Sequence, residues 1–151
     1  MLSEIRIYFE GDKSLKAGFD VFFAEIRERA LAARCSVRIV ATGGTPERDF
    51  GIALRNHPAA WNVLLRDSEG PSQPNRPASL AGSIFWMVEM MESWFHADRD
   101  ALKAATKDTT KGKYHKTKHV PALLQSIKPA LVRKAAPNCE RFFASVLDKL
   151  G

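Results

Sequence analysis

The chain has 151 residues, of which 45% are hydrophobic, so it is long enough to bury a core and predicts one domain. Its formal net charge of +6 and pI near 9.5 favour a polyanionic partner. Two cysteines in no metal-ligand spacing exclude a disulfide scaffold, and the longest apolar run, 84–88, is too short to cross a bilayer. With no secretory leader, we expect a cytoplasmic protein without membrane contact.

The first part of the chain alternates strand and helix patterns. Apolar residues at every second position predict strands, and apolar residues at three- and four-residue spacing predict amphipathic helices. In chain order these are a strand at 4–9, a helix across Phe19–Ala30, a strand at 36–41, a helix from Pro46, capped by Thr45, to about His57, and a strand at 60–66. This order with short connections predicts a central, mostly parallel sheet flanked by helices.

The second part of the chain is predicted to be mainly helical after a fourth strand at 84–88. A helix across 89–107 is expected to break near Ala97–Asp98, and Asp98 and Asp100 suit the start of its second piece. The lysine-rich stretch 107–119 is predicted to be a loop. Three further helices follow, at Val120–Ile127, around Pro129–Arg133 and at Asn138–Leu150, with Pro121, Pro129 and Pro137 in first turns. We expect an α/β core at 1–107, followed by a basic loop and C-terminal helices at 108–151, within one domain.

Acidic residues follow two of the predicted strands. Glu10 comes directly after the first strand, and Asp67 and Glu69 come after the third. Because parallel strands end at one edge of a sheet, we expect these carboxylates to cluster there, where they repel one another unless a cation neutralises them. Mg²⁺ (or Mn²⁺) accepts one or two protein carboxylates and completes its shell with water and phosphate. Glu10 could act as a general base or as a metal ligand, and Gly11 would leave the backbone open to phosphate.

Two other interpretations of these acids stay open. The segment 67–71 consists of ordinary turn residues and would then be a solvated turn. A phosphohydrolase for small phosphoesters also places acids at a sheet edge, but it would usually have an aspartate nucleophile after the first strand, where this chain has Glu10.

The stretch 107–119, KDTTKGKYHKTKH, holds five lysines against one aspartate. It could be a solvated charge run, a contact for the phosphates of a nucleic acid, or a catalytic part in which Lys113 or Lys116 stabilises a phosphodiester transition state. An aromatic ring within such a run could stack on a base. The candidate nucleic-acid contacts are Lys111, Lys113, Tyr114, Lys116 and Lys118.

The acidic motifs resemble those of the Toprim-like domain of topoisomerases, primases and nucleases of the overcoming-lysogenisation-defect type. The resemblance is carried by an acid-Gly pair after the first strand, FEGD, and by an acid-x-acid pair after a later strand, RDSE. The whole chain is more specifically similar to a small Toprim-like family often encoded beside an ATPase in bacterial genomes. Further phrases carry that similarity, and together they span Phe9 to Leu147: MVEMMESWFHAD, KGKYHKTKH and APNCERFFASVL.

This resemblance implies a Toprim-like (Rossmann-like) fold and a Mg²⁺-dependent nuclease, acting on DNA with an ATPase partner in bacterial defence. It adds Glu92 as a metal ligand beside Glu10, Asp67 and Glu69. The chain departs from the family in having Glu69 where a second aspartate is usual and 13–15, KSL, where relatives often have another acid. An alternative is therefore a non-catalytic module of the same fold, with a weakened metal site, that binds nucleic acid or the partner. A homodimer is also left open.

Overall fold

A computed structural model describes residues 1–67, 83–87, 92–106 and 116–151. Within these residues four strands form one sheet in the order β2-β1-β3-β4, and each neighbouring pair is parallel. The strands are β1 (Glu4–Phe9), β2 (Ser36–Ala41), β3 (Trp61–Asp67) and β4 (Ile84–Met87). The protein is therefore an α/β protein with a parallel sheet compatible with a Rossmann-like fold, as the alternating pattern predicted.

Helices flank this sheet. They are α1 (Lys16–Phe22), α2 (Ala24–Ala32), α3 (Pro46–Asn56), α4 (Glu92–Phe95), α5 (Arg99–Thr106), α6 (Lys116–Ser126), α7 (Pro129–Ala135) and α8 (Pro137–Leu150), with a short 3-10 helix at Lys13–Leu15. The single helix predicted across Phe19–Ala30 is wrong, because the chain leaves helical geometry at Phe23 (φ −96°, ψ 23°). None of the helices in the described ranges is long and apolar enough to span a membrane.

The two faces of the sheet have different cores. On one face, Ile5, Ile7 and Phe9 of β1 are fully buried in a large cluster that also contains apolar side chains of α1, α2, α6, α7 and α8. On the other face, Tyr8 and Leu64 pack against α3, where Tyr8 meets the ring of Phe50 with a 5.7 Å centroid separation. Because successive residues of a strand face opposite sides, β1 contributes to both cores.

The prediction of a loop up to residue 119 is wrong at its end, since α6 already begins at Lys116. His119 and Val120 are both buried, at 5% and 0% exposure. The helix therefore begins before Val120, where the apolar spacing that predicted it starts. Pro121 consequently lies inside α6 rather than in a first turn. Pro129 and Pro137 do occupy first-turn positions, in α7 and α8.

Asp98 joins two helices through its carboxylate, at the helix break that the sequence predicted. Its Oδ1 accepts a hydrogen bond from the backbone N–H of Ala101 in α5 (3.1 Å), and its Oδ2 accepts one from the backbone N–H of Lys128, just before α7 (3.0 Å). The side chain is nearly inaccessible, and burial alone would raise the pKa of Asp98. The hydrogen bonds from Lys128 and Ala101 outweigh burial and hold that pKa below the ordinary value.

We expect Asp98→Asn to lower the free energy of unfolding at neutral pH by about 1–2 kcal/mol, because an amide offers one acceptor oxygen for two N–H donors. The carboxylate's contribution is present above its unfolded pKa of about 3.9 and is lost as pH falls through the lower folded pKa. Urea unfolding should therefore show the difference between wild type and variant shrinking as pH falls below the unfolded pKa of about 3.9. Asp100→Asn, at an exposed first-turn position of α5, should change stability by about 0.5 kcal/mol or less. A D98N penalty that is unchanged in acid would contradict the role of the charge.

Candidate functional site

The carboxyl ends of β1, β2 and β3 meet at one edge of the sheet, and backbone hydrogen bonds hold the residues just beyond them. The backbone N–H of Glu10 donates to the carbonyl of Leu65 at 2.9 Å, which continues the pairing of β1 with β3. The backbone N–H and the hydroxyl of Thr42 both donate to the carbonyl of Phe9, at 3.0 and 3.1 Å. The hydrogen-bonded pairing of neighbouring strands therefore continues for one residue beyond the end of β1 and the end of β2.

Glu10 and Asp67, two of the predicted site residues, are brought together at this edge. The Oε2 atom of Glu10 accepts a hydrogen bond from the backbone N–H of Asp67, the last residue of β3, at 2.9 Å. Both residues are half-buried, and the Glu10 side chain keeps 24% of its exposure. The parallel register predicted this proximity, since β1 and β3 pair from Ile5 and Trp61 to Phe9 and Leu65.

Arg66, a basic residue outside the predicted site, lies beside this pair. The Nε atom of Arg66 is 3.7 Å from Oε2 of Glu10, and its Nη1 atom forms an ion pair with the carboxylate of Glu47 in α3. The side chains of Arg66 and Glu47 are 27% and 63% exposed. The signal that could have indicated Arg66 was its place directly before Asp67 on a buried strand. Glu47 had no such signal, because its position depends on how α3 packs.

Gly11 is required by the backbone rather than by an approaching ligand. It has φ +151°, and a Cβ there would lie 2.8 Å from Cδ1 of Leu15, inside the protein. Its carbonyl accepts a hydrogen bond from the N–H of Gly43 at 3.2 Å, and Gly43 itself has φ +63°. Glycine therefore suits both positions, but the reason differs from the phosphate approach that the sequence suggested.

The start of α3 also differs from expectation. Thr45 stands at the N-cap position, but its side chain makes no capping hydrogen bond, so that part of the prediction is wrong. Its carbonyl accepts a hydrogen bond from the backbone N–H of Asp49 at 3.1 Å. Glu47 and Asp49 place negative charge in the first turn, where it complements the helix dipole.

The segment after Gly11 leads from the site to α6. Asp12 caps the short 3-10 helix by accepting a hydrogen bond from the backbone N–H of Ser14 at 2.8 Å, and this bond lowers the pKa of Asp12. The 3-10 helix and α1 both pack against α6. The helix that begins at Lys116 is thereby attached to the segment that follows Glu10.

The side chains of the other predicted site residues are not part of what the structure describes. Glu69, Lys111, Lys113 and Tyr114 lie outside the described residues. Glu92 begins α4, and Lys116 and Lys118 lie in the first turn of α6, each described through its backbone alone.

At this edge the carboxylate of Glu10 contacts the backbone N–H of Asp67, not its carboxylate. Successive residues of a strand face opposite sides, so Asp67 follows the face of Leu65 and Arg66 follows the face of Leu64. Mg²⁺ takes one or two carboxylates from a protein and completes its shell with water and substrate oxygens.

Among the described residues, no group of three or more His, Cys, Asp or Glu side chains is arranged to hold a metal ion. Burial raises the pKa of Cys35 and raises that of Cys139 to about 12, so neither offers a thiolate at neutral pH.

Comparison of the chain with protein-family models, with curated proteins and with solved structures finds no match in any of the three.

Proposed function

We propose that the protein is a Toprim-like, Mg²⁺-dependent enzyme that hydrolyses phosphodiester bonds in nucleic acid. The observation that supports the proposal is the hydrogen bond of 2.9 Å from the Asp67 backbone N–H to the Glu10 carboxylate, because it brings the residue after β1 against the last residue of the parallel strand β3. Carboxylates at that edge of an open α/β sheet stand where such folds bind their ligands.

The residues have distinct roles in this proposal. Glu10 and Asp67 would hold the metal, and Glu69 and Glu92 would complete the acidic set from the neighbouring segments. A bound Mg²⁺ lowers the pKa of its water and neutralises charge on the phosphoryl oxygens. Glu10 can also take a proton from the attacking water, as a general base. Lys113, which precedes α6 in the sequence, and Lys116, the first residue of α6, would neutralise the substrate's phosphates.

The substrate and partner are proposed from charge and from resemblance. A net charge of +6, with five lysines in 107–119, favours a polyanion. The FEGD and RDSE motifs, with their similarity to a family encoded beside an ATPase, lead us to propose DNA as substrate and an ATPase as partner in bacterial defence. We expect the protein to act in the cytoplasm.

A second function is favoured by Arg66. Its guanidinium lies 3.7 Å from Glu10, so positive charge already offsets one of the two carboxylates that would hold a metal. Together with Glu69 in place of a second aspartate, this supports a non-catalytic module of the same fold that binds nucleic acid or the partner.

The decisive experiment compares wild type with Asp67→Asn for Mn²⁺ affinity and for cleavage of labelled DNA and RNA in Mg²⁺ or in EDTA. We expect the variant to bind Mn²⁺ roughly 10-fold or more weakly, because it loses one of two charged ligands, and to lose metal-dependent cleavage. Asp148→Asn, which removes an exposed acid from α8, should match wild type in both measurements.

Each pattern of results selects one function. Cleavage that needs Mg²⁺ and Asp67 supports the enzyme. Nucleic-acid binding without cleavage at any metal concentration selects the binding module. Equal Mn²⁺ affinities in wild type and Asp67→Asn would overturn the metal site.

A further inference from the structure

Two arginines on the outward side of α3 have no carboxylate partner among the described residues. Arg48 and Arg55 are seven residues apart in this helix, so they lie on one side of it, about 10 Å apart along its axis. Phe50 and Ala53 form the opposite side and are buried against the sheet. Both arginines are exposed, and neither takes part in an ion pair or a side-chain hydrogen bond within the described ranges. Their charges are therefore free to contact a partner.

Gly51, which lies between these arginines, is not explained by packing. A glycine inside a helix lowers the helix's stability, so it needs a reason. Gly18 in α1 has one, because Leu124 occupies the space that a side chain would need. At Gly51 the nearest described atom to an added Cβ would be Nη1 of Arg55, at 4.0 Å. The surface between the two arginines therefore leaves the helix backbone open to close approach, with Ile52 beside it at 37% exposure.

The first turn of α3 stands at the sheet edge that carries the candidate site. Glu47, next to Arg48 in that turn, forms an ion pair with Arg66, and the Nε atom of Arg66 is 3.7 Å from Oε2 of Glu10. A partner that lies along the outward side of α3 would thus reach this edge. The chain's net charge of +6 and the two unpaired guanidiniums are complementary to a polyanion.

Resting on the nucleic-acid binding of the proposed function, we propose that the outward side of α3 holds the phosphate backbone of nucleic acid. Arg48 and Arg55 each donate to a phosphate, and Gly51 lets the backbone come close to the helix. The planar guanidinium suits this role, because it can donate two parallel hydrogen bonds to a phosphate. Along one DNA strand the phosphates recur about every 3.4 Å of axis, so the two arginines span about three of them. Such contacts position the nucleic acid without reading its sequence.

The experiment measures, in EDTA, the affinity of each protein for one fluorescently labelled DNA duplex at salt concentrations between about 50 and 200 mM. Arg48→Gln and Arg55→Gln should each weaken binding about 3- to 10-fold, through loss of one charged contact. Each should also reduce the slope of log affinity against log salt by about 1, and the double variant by about 2, since the two contacts are distant enough to act independently. Lysine at either position keeps the charge and should keep the wild-type slope.

Two further variants separate this surface from total charge and from folding. Arg34→Gln removes the same charge from an exposed arginine after α2, which packs on the opposite face of the sheet, and should leave the slope unchanged. Gly51→Gln places a neutral side chain between the two arginines and should weaken binding about 3-fold or more by holding the DNA away. It should not lower the thermal midpoint, because glutamine is the better helix former and the position is open.

Failure of this inference is distinguishable from failure of the proposed function. A wild-type slope in both arginine variants overturns the inference, even if wild type cleaves DNA. A slope that falls equally in Arg34→Gln overturns it as well, because total charge would then explain the loss. Wild-type affinity in Gly51→Gln overturns the close approach. The expected slopes without metal-dependent cleavage uphold the inference and overturn the nuclease, and absence of nucleic-acid binding in wild type overturns both.

Discussion

Gly18→Ala is expected to lower the free energy of unfolding by about 1–3 kcal/mol, although alanine is the better helix former. A Cβ at Gly18 in α1 would lie 2.5 Å from Cβ of Leu124 and 3.2 Å from the carbonyl oxygen of Pro121, both in α6. Two carbon atoms pack favourably at about 3.5–4.0 Å, so the helices must separate by roughly 1 Å. Neither neighbouring atom can rotate away, because one is backbone and the other is bonded to it.

Gly51→Ala provides the matched control, because the same methyl group is added to a helix where there is room. The nearest atom to a Cβ at Gly51 in α3 is Nη1 of Arg55, at 4.0 Å. Helix propensity should then dominate and raise stability by about 0.5–1 kcal/mol. Thermal unfolding should show opposite shifts in the two variants, at about 2–4 °C per kcal/mol for a chain of this size. A Gly18→Ala variant as stable as wild type would contradict the close packing of α1 on α6.

The sheet and the approach of Glu10 to Asp67 could be predicted because they depend on local signals. The alternation of Ile5, Ile7 and Phe9 and the apolar run from Trp61 identify strands, and the helices between them require parallel pairing. Parallel pairing alone brings the residues that follow β1 and β3 to one edge. No side-chain detail was needed for that step.

What the sequence could not predict depends on packing between distant elements. Arg66 reaches Glu47 only because α3 covers one face of the sheet, and nothing in the local pattern of 46–57 indicates that contact. The start of α6 was missed for the same reason, since His119 lies beyond the apolar spacing and is buried by the fold. Gly11 was assigned to ligand approach, whereas the space it leaves is filled by Leu15.

Glu10→Gln is expected to abolish cleavage, by roughly 100-fold or more, while sparing the fold and the binding of nucleic acid. The amide oxygen can still accept the Asp67 N–H that now lies 2.9 Å from Oε2, so the two strand ends stay joined. The substitution removes a charged metal ligand. Mutating even the groups that hydrogen-bond to a metal ligand typically lowers metal affinity or activity by about 10- to 100-fold. Loss of a negative charge beside phosphate should leave DNA binding equal or tighter.

Substitutions of the lysines should instead lower the affinity for nucleic acid. Lys113→Ala and Lys116→Ala should weaken binding alike for all sequences and reduce the salt slope by about 1 for each phosphate contact removed. Binding in Ca²⁺ and cleavage in Mg²⁺ should be measured on one labelled DNA at several salt concentrations, with Glu28→Gln, an exposed acid of α2, as the control. Cleavage that survives Glu10→Gln would place the chemistry elsewhere. Binding that is indifferent to both lysines would return that stretch to a solvated charge run, because a phosphate contact cannot be removed without changing the salt dependence.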